Sequence, residues 1–101
     1  MAAEADNHRT VISTAIAGGR SLLDSALLVV DKEDASNWQT SRTRWLRQVS
    51  RALHDHLTPE VAAEFLHACR ARPQGEDAAR HAAQVRGVER GIEMLAALDQ
   101  H

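Results

Sequence analysis

Between Trp38 and Leu57 the chain reads WQTSRTRWLRQVSRALHDHL, with four arginines, two tryptophans and two histidines in twenty residues. A guanidinium grips phosphate or carboxylate through a fixed fork of donors. Imidazole moves protons near neutral pH, and an indole either stacks on a base or anchors a core. The segment is therefore open to three chemistries: following a phosphate backbone, cleaving RNA, or presenting a charged face to another protein.

Spacing orders these possibilities. At 100° per residue, Trp38, Trp45, Val49, Ala52, Leu53 and His56 share one side of a helix, and Leu46 and Leu57 extend it. Arg44, Arg47 and Arg51 project from the opposite side with His54 beside them, while Arg42 borders the apolar side with its stem along it. The tryptophans are thus expected as core anchors. Three co-facial arginines could follow a phosphate backbone, with steep salt dependence, yet no loop and recognition helix for base readout accompanies them. A protein-facing or solvated face is the first expectation for this row, and a nucleic-acid-binding face the second.

An arginine followed a few residues later by a histidine resembles the motif of HEPN ribonucleases, which are all-α domains of about this size. Arg47 with His54 and Arg51 with His56 carry the resemblance, and Gln48 is the polar residue that often follows the arginine in that family. It implies RNA cleavage at these residues. On a straight helix Arg51 and His56 face nearly opposite ways, and Arg47 stands two turns, about 10 Å, from His54. Ribonuclease activity is accordingly the third reading.

Other chemistries lack partners. Glu64 and His67 form one Glu-x-x-His unit of the kind used in di-metal bundles, but the chain holds no second copy. His54 with His56, and His67 with Cys69, are two positions apart and diverge on a helix, so zinc is not expected. The AGGR stretch at Ala17–Arg20 has no phosphate-loop pattern. No catalytic residue, metal or cofactor is expected, although six histidines could make an assembly acid-sensitive.

These residues must be positioned by a small scaffold. The chain has 101 residues, room for one domain that buries roughly 60–70% of its unfolded surface. Its 44% hydrophobic and 26% charged content is that of an ordinary globular protein, and no apolar run of ~18 residues exists to span a membrane. MAAEAD carries no basic leader, and Cys69 is the sole cysteine, so a reducing cytoplasm is the expected compartment. Eleven arginines against one lysine, with abundant alanine, suggest a GC-rich bacterium or its phage. Net charge is only −2, but residues 36–57 carry four bases against one acid, so the basic character is local.

The hydrophobic period is helical throughout. Residues 1–6 read as a flexible tail, and Ile12, Ile16, Leu23, Leu27 and Val30 mark a first helix from Asn7 to Val30, capped by Asp6 or Asn7. Gly18 and Gly19 lie inside it, as either a close helix crossing or a break. Its apolar end, Leu27–Val30, predicts deep burial. Asp31–Ala35 reads as a connector, and Ser36 with Gln39 forms a capping box for a second helix over Asn37–Leu57. Thr58-Pro59-Glu60 starts a short third helix to about Ala71. Arg72–Glu76 reads as a loop, and Ala78, Val85, Val88, Ile92 and Leu95 mark a fourth helix over Asp77–Asp99. The expected fold is all-α, a small antiparallel four-helix bundle of three long helices and one short, with residues 7–101 as one domain.

The last helix bears a second stripe, Gly87, Gly91, Met94 and Leu98. Two glycines cost a helix about 2 kcal/mol. Either the helix is central and touches two neighbours, or the stripe is an exposed strip that mates with a second copy or another protein. The pattern as a whole predicts a non-enzymatic protein–protein interaction module: an adaptor, regulator or oligomerisation unit. Its candidate contact residues are Arg44, Arg47, Arg51 and His54 on helix two and Gly87, Gly91, Met94 and Leu98 on helix four.

Overall fold

A computed structural model of the chain describes residues 2–70 and 77–99. The described residues form four helices: α1 (Ala2–Ala26), α2 (Lys32–His56), α3 (Pro59–Ala68) and α4 (Asp77–Asp99). The Arg72–Glu76 loop expected from sequence lies outside the described residues.

Two indoles fix how α2 lies on α1. Trp45 Nε1 donates to the Ala15 carbonyl at 2.9 Å and Trp38 Nε1 donates to the Leu22 carbonyl at 2.8 Å. As the chain advances along α2 it retreats along α1, so the pair is antiparallel. Trp45 then meets Phe65 of α3 edge to face, with centroids 5.3 Å apart, and Trp38 meets His81 of α4 at 4.9 Å. Thus α2 and α4 run the same way on one diagonal, α1 and α3 the other way, and each helix packs against its two neighbours around the ring. This is the antiparallel bundle that the periodicity predicts.

The core holds Ile12, Ala15, Leu22 and Ala26 of α1 and Trp38, Trp45, Val49 and Leu53 of α2. Ala62 and Phe65 of α3, Cys69 just beyond it, and Val88 and Leu95 of α4 complete it. Both tryptophans point inward, at 4% and 6% exposure. Their burial, at about 25 cal/mol per Å² of apolar surface, drives α2 onto the other helices.

Four details differ from the sequence reading. First, α1 begins at Ala2, so Asp6 and Asn7 lie inside the helix rather than at its start. Second, α1 stays unbroken through Gly18 and Gly19 and stops at Ala26. A methyl group on Gly18 would stand 2.9 Å from Trp45 Cδ1, and one on Gly19 would stand 2.7 Å from Ile92 Cγ1 and 2.8 Å from Trp45 Cζ2. The glycines therefore mark a close crossing, not a break.

Third, Leu27, Leu28 and Val30 are not buried: they are 84%, 75% and 84% exposed, and only Val29 packs against the core. The chain leaves the helix here in tight turns, Leu27 N–H to the Asp24 carbonyl and Leu28 N–H to the Ser25 carbonyl, so the apolar stripe is cut off at the end of the bundle. Fourth, α2 starts at Lys32, not Asn37, because Asp31 caps it by accepting from the Asp34 N–H at 2.8 Å. Asp34 reaches back to the Val30 N–H at 3.2 Å. A carboxylate cap with Glu33 and Asp34 in the first turn complements the helix dipole better than the neutral Ser36/Gln39 pair. The Thr58 cap of α3 is present as read, accepting from the Val61 N–H at 3.1 Å.

Candidate functional site

The arginines sort into two groups by what their guanidiniums touch. Helix α3 ends with free carbonyls, and two arginines from its neighbours bind them. Arg42 of α2 donates to the Cys69 carbonyl at 3.1 Å. Arg90 of α4 donates to the Ala68 carbonyl at 3.0 Å and the Arg70 carbonyl at 2.8 Å. Positive charge at the negative end of a helix is favourable. Arg42 is half-buried, with Nε lacking a partner, and burial pulls its guanidinium below the ordinary value. These two residues tie the end of α3 to α2 and α4.

The second group faces water. Arg44, Arg47, Arg51 and His54 are all exposed on α2. Arg51 lies 3.9 Å from Asp55, and His54 Nδ1 lies 3.4 Å from the same carboxylate. Among the described residues Arg44 and Arg47 have no ion-pair or hydrogen-bond partner. They share one open strip of the α2 surface with the hydroxyls of Ser36, Thr40 and Thr43 and the amides of Gln39 and Gln48. No acidic residue occurs from Ala35 to His54.

The structure does not bring the arginine–histidine pairs together. Helix α2 is unbroken through His56, so Arg47 and His54 remain about two turns, ~10 Å, apart along the axis. His56, which the helical wheel places on the side of the tryptophans, is exposed. Glu64 and His67 are also exposed, and the described residues contain no group of three or more His, Cys, Asp or Glu side chains placed to hold a metal ion.

On α4 the outward strip of Gly87, Gly91, Met94 and Leu98 is not present as such. Both glycines are buried against the end of α3: a methyl on Gly87 would fall on the Cys69 carbonyl, and one on Gly91 on the Cys69 sulfur. Met94 and Leu98 are half-buried against the core. The physical reason is that α4 lies between α1 and α3 and needs two packing faces. Cys69, 1% exposed, has its thiol pushed up to about 11 by burial, opposed by the nearby Arg42 and Arg90 charges. A thiol so placed is a packing group rather than a nucleophile.

The exposed feature that sequence reasoning missed is the turn between α1 and α2. Leu27, Leu28 and Val30 form an apolar tip at one end of the bundle. Around it in sequence stand Asp24, Asp31, Glu33 and Asp34, against the single cation Lys32. The signal that could have found it was Asp31 with Asp34, which reads as a helix start and so places LLVV in a connection. No protein family matches the chain, nor does any curated protein or solved structure.

Proposed function

We propose that this chain is a non-enzymatic protein-binding module, working in a cytoplasm, that docks through the apolar tip of Leu27, Leu28 and Val30. The observation that carries the reading is the exposure of three large side chains within four residues, 84%, 75% and 84%, where the other large apolar groups among the described residues reach at most 44%, at Leu66. Adjacent apolar groups left in water mark contact sites on small proteins, and an apolar centre inside a polar rim is the usual anatomy of an interface. The acids around the tip give that rim a negative sign. They oppose tip-to-tip pairing of two copies and favour a partner whose apolar pocket has basic edges.

Affinity capture from the native host tests this. Wild-type protein should retain a partner that the Leu27→Ser/Leu28→Ser/Val30→Ser form loses, while a Leu66→Ser form still retains it. Identical capture by the wild-type and triple-serine forms would overturn the reading.

A further inference from the structure

A second surface, separate from the apolar tip, has its own ligand chemistry. Among the described residues, Arg44 and Arg47 are the two exposed guanidiniums of α2 with no partner, and they share one open strip of that helix with hydroxyls and carboxamides. From Ser36 to Gln48 this strip follows α2 for about 18 Å. With no acid on the helix between Ala35 and His54, nothing on α2 neutralises the arginines until Asp55, which engages Arg51 and His54 instead. This leaves a donor-rich strip with two cations one turn apart.

We infer that this strip of α2 binds an extended acidic segment of a protein partner, with carboxylates at alternate positions meeting Arg44 and Arg47. The dimensions fit that occupant. A strip about 18 Å long accommodates five or six extended residues at about 3.3 Å each, and alternate side chains of a strand fall on one side about 6.6 Å apart. Side chains at i and i+3 of a helix are about 5–6 Å apart at Cβ, so two guanidiniums can each take one carboxylate in the forked geometry. Gln39, Gln48 and the hydroxyls are then placed beside the segment's main chain, whose donors and acceptors need partners once water is displaced.

Nucleic acid would present anions at similar spacing, and the structure disfavours it. Single strands bind on aromatic platforms, whereas Trp38, Trp45 and Phe65, the only aromatic residues, are 4%, 6% and 0% exposed. Both indole N–H groups are already bonded to main-chain carbonyls of α1. A duplex would need a broad basic field, and this chain carries a net charge of −2.

The experiment is fluorescence anisotropy at low ionic strength with three labelled probes: an alternating glutamate–serine peptide, its lysine–serine counterpart, and a single-stranded RNA oligomer. The full chain is compared with the Arg44→Glu/Arg47→Glu form, both substitutions lying at exposed positions. The acidic peptide should bind wild type and lose about tenfold or more in affinity on reversal, while the reversed form gains the lysine peptide. Three results would each overturn the inference: no binding of the acidic peptide to wild type, binding that survives the reversal, or an RNA oligomer that binds more tightly than the peptide and is lost on reversal. Serine substitution of the apolar tip should leave this binding unchanged, which separates it from docking at the tip.

Discussion

The indole nitrogen of Trp45 donates to the carbonyl of Ala15 across 2.9 Å, although that carbonyl lies inside a continuous helix. Side chains in a helix lean toward its N-terminus, so a residue at i+3 or i+4 overhangs the carbonyl at i. After Ala15 those positions are Gly18 and Gly19, and after Leu22, where Trp38 binds, they are Ser25 and Ala26. Small pairs seven residues apart on α1 thus admit tryptophans seven apart on α2. A buried indole N–H without an acceptor costs about 1–3 kcal/mol, so the two bonds select one register.

Alanine at these glycines tests that geometry. In an unobstructed helix interior, Gly→Ala gains about 1 kcal/mol. Here the new methyl meets Trp45 at 2.9 Å from Gly18, and Ile92 and Trp45 at 2.7 and 2.8 Å from Gly19. Both substitutions should instead lower stability, by about 1–3 kcal/mol as in other overpacked cores. Urea unfolding followed by circular dichroism measures this, and a raised midpoint for either would contradict it.

The sequence carried part of this arrangement openly. The heptad of Trp38 and Trp45 on an apolar side was enough to turn them inward, and the Thr58-Pro59 start of α3 needed only local chemistry. Whether Gly18–Gly19 was a break or a crossing depended on which side chain lay opposite, and no spacing within α1 contains that information. The Leu27–Val30 run continued the helical period and so read as buried. What ended the helix was the cap at Asp31, and what exposed the run was the absence of a neighbour at the end of the bundle. The roles of Arg42 and Arg90 depended on where α3 stops relative to α2 and α4, a tertiary relation with no local signature.

The tip should be dispensable for folding. With Leu27, Leu28 and Val30 between 75% and 84% exposed, serine at all three removes little buried apolar surface. Stability should change by less than about 0.5 kcal/mol per site. Thermal unfolding checks this, and a drop of several kcal/mol would show that these residues are core.

The glycines of α4 predict a specific suppressor. Gly91→Ala places a methyl on the Cys69 sulfur, whereas Gly87→Ala places one on the Cys69 carbonyl, which already accepts from Arg42. Each should cost about 1–3 kcal/mol or more. Cys69→Ala removes the sulfur but not the carbonyl, so it should relieve Gly91→Ala and leave Gly87→Ala as damaging as before. A double-mutant cycle should give a coupling of about 1 kcal/mol or more for the first pair; equal coupling in both pairs would refute the placement.

Alanine scanning should separate the arginines by role. Arg42→Ala and Arg90→Ala strip donors from the last carbonyls of α3 and should each lower stability by about 1–2 kcal/mol. Hydrogen exchange should quicken in the last turn of α3. Arg44→Ala and Arg47→Ala, exposed and unpartnered, should fall within about 0.5 kcal/mol of wild type. If all four behaved alike, the division between structural and available guanidiniums would fail.

Cys69 makes the pH dependence specific. Burial raises its thiol from an ordinary 9.0 to about 11, so above the ordinary value the unfolded chain loses the proton while the folded chain keeps it. Fewer protons on the unfolded state means that stability falls as pH rises. The contribution is fully present below about pH 9 and is lost progressively up to about pH 11. At about pH 8 the same shift lowers the thiolate fraction about a hundredfold relative to the unfolded chain, and the side chain is 1% exposed besides. Native protein should therefore react with an aromatic disulfide at least about a hundredfold more slowly than protein in urea. Its urea midpoint should fall between about pH 8 and 10.5 by more than that of Cys69→Ala, which lacks the titrating group. Native and unfolded thiols that react at similar rates would place Cys69 at the surface and undo the packing of α3 against α4.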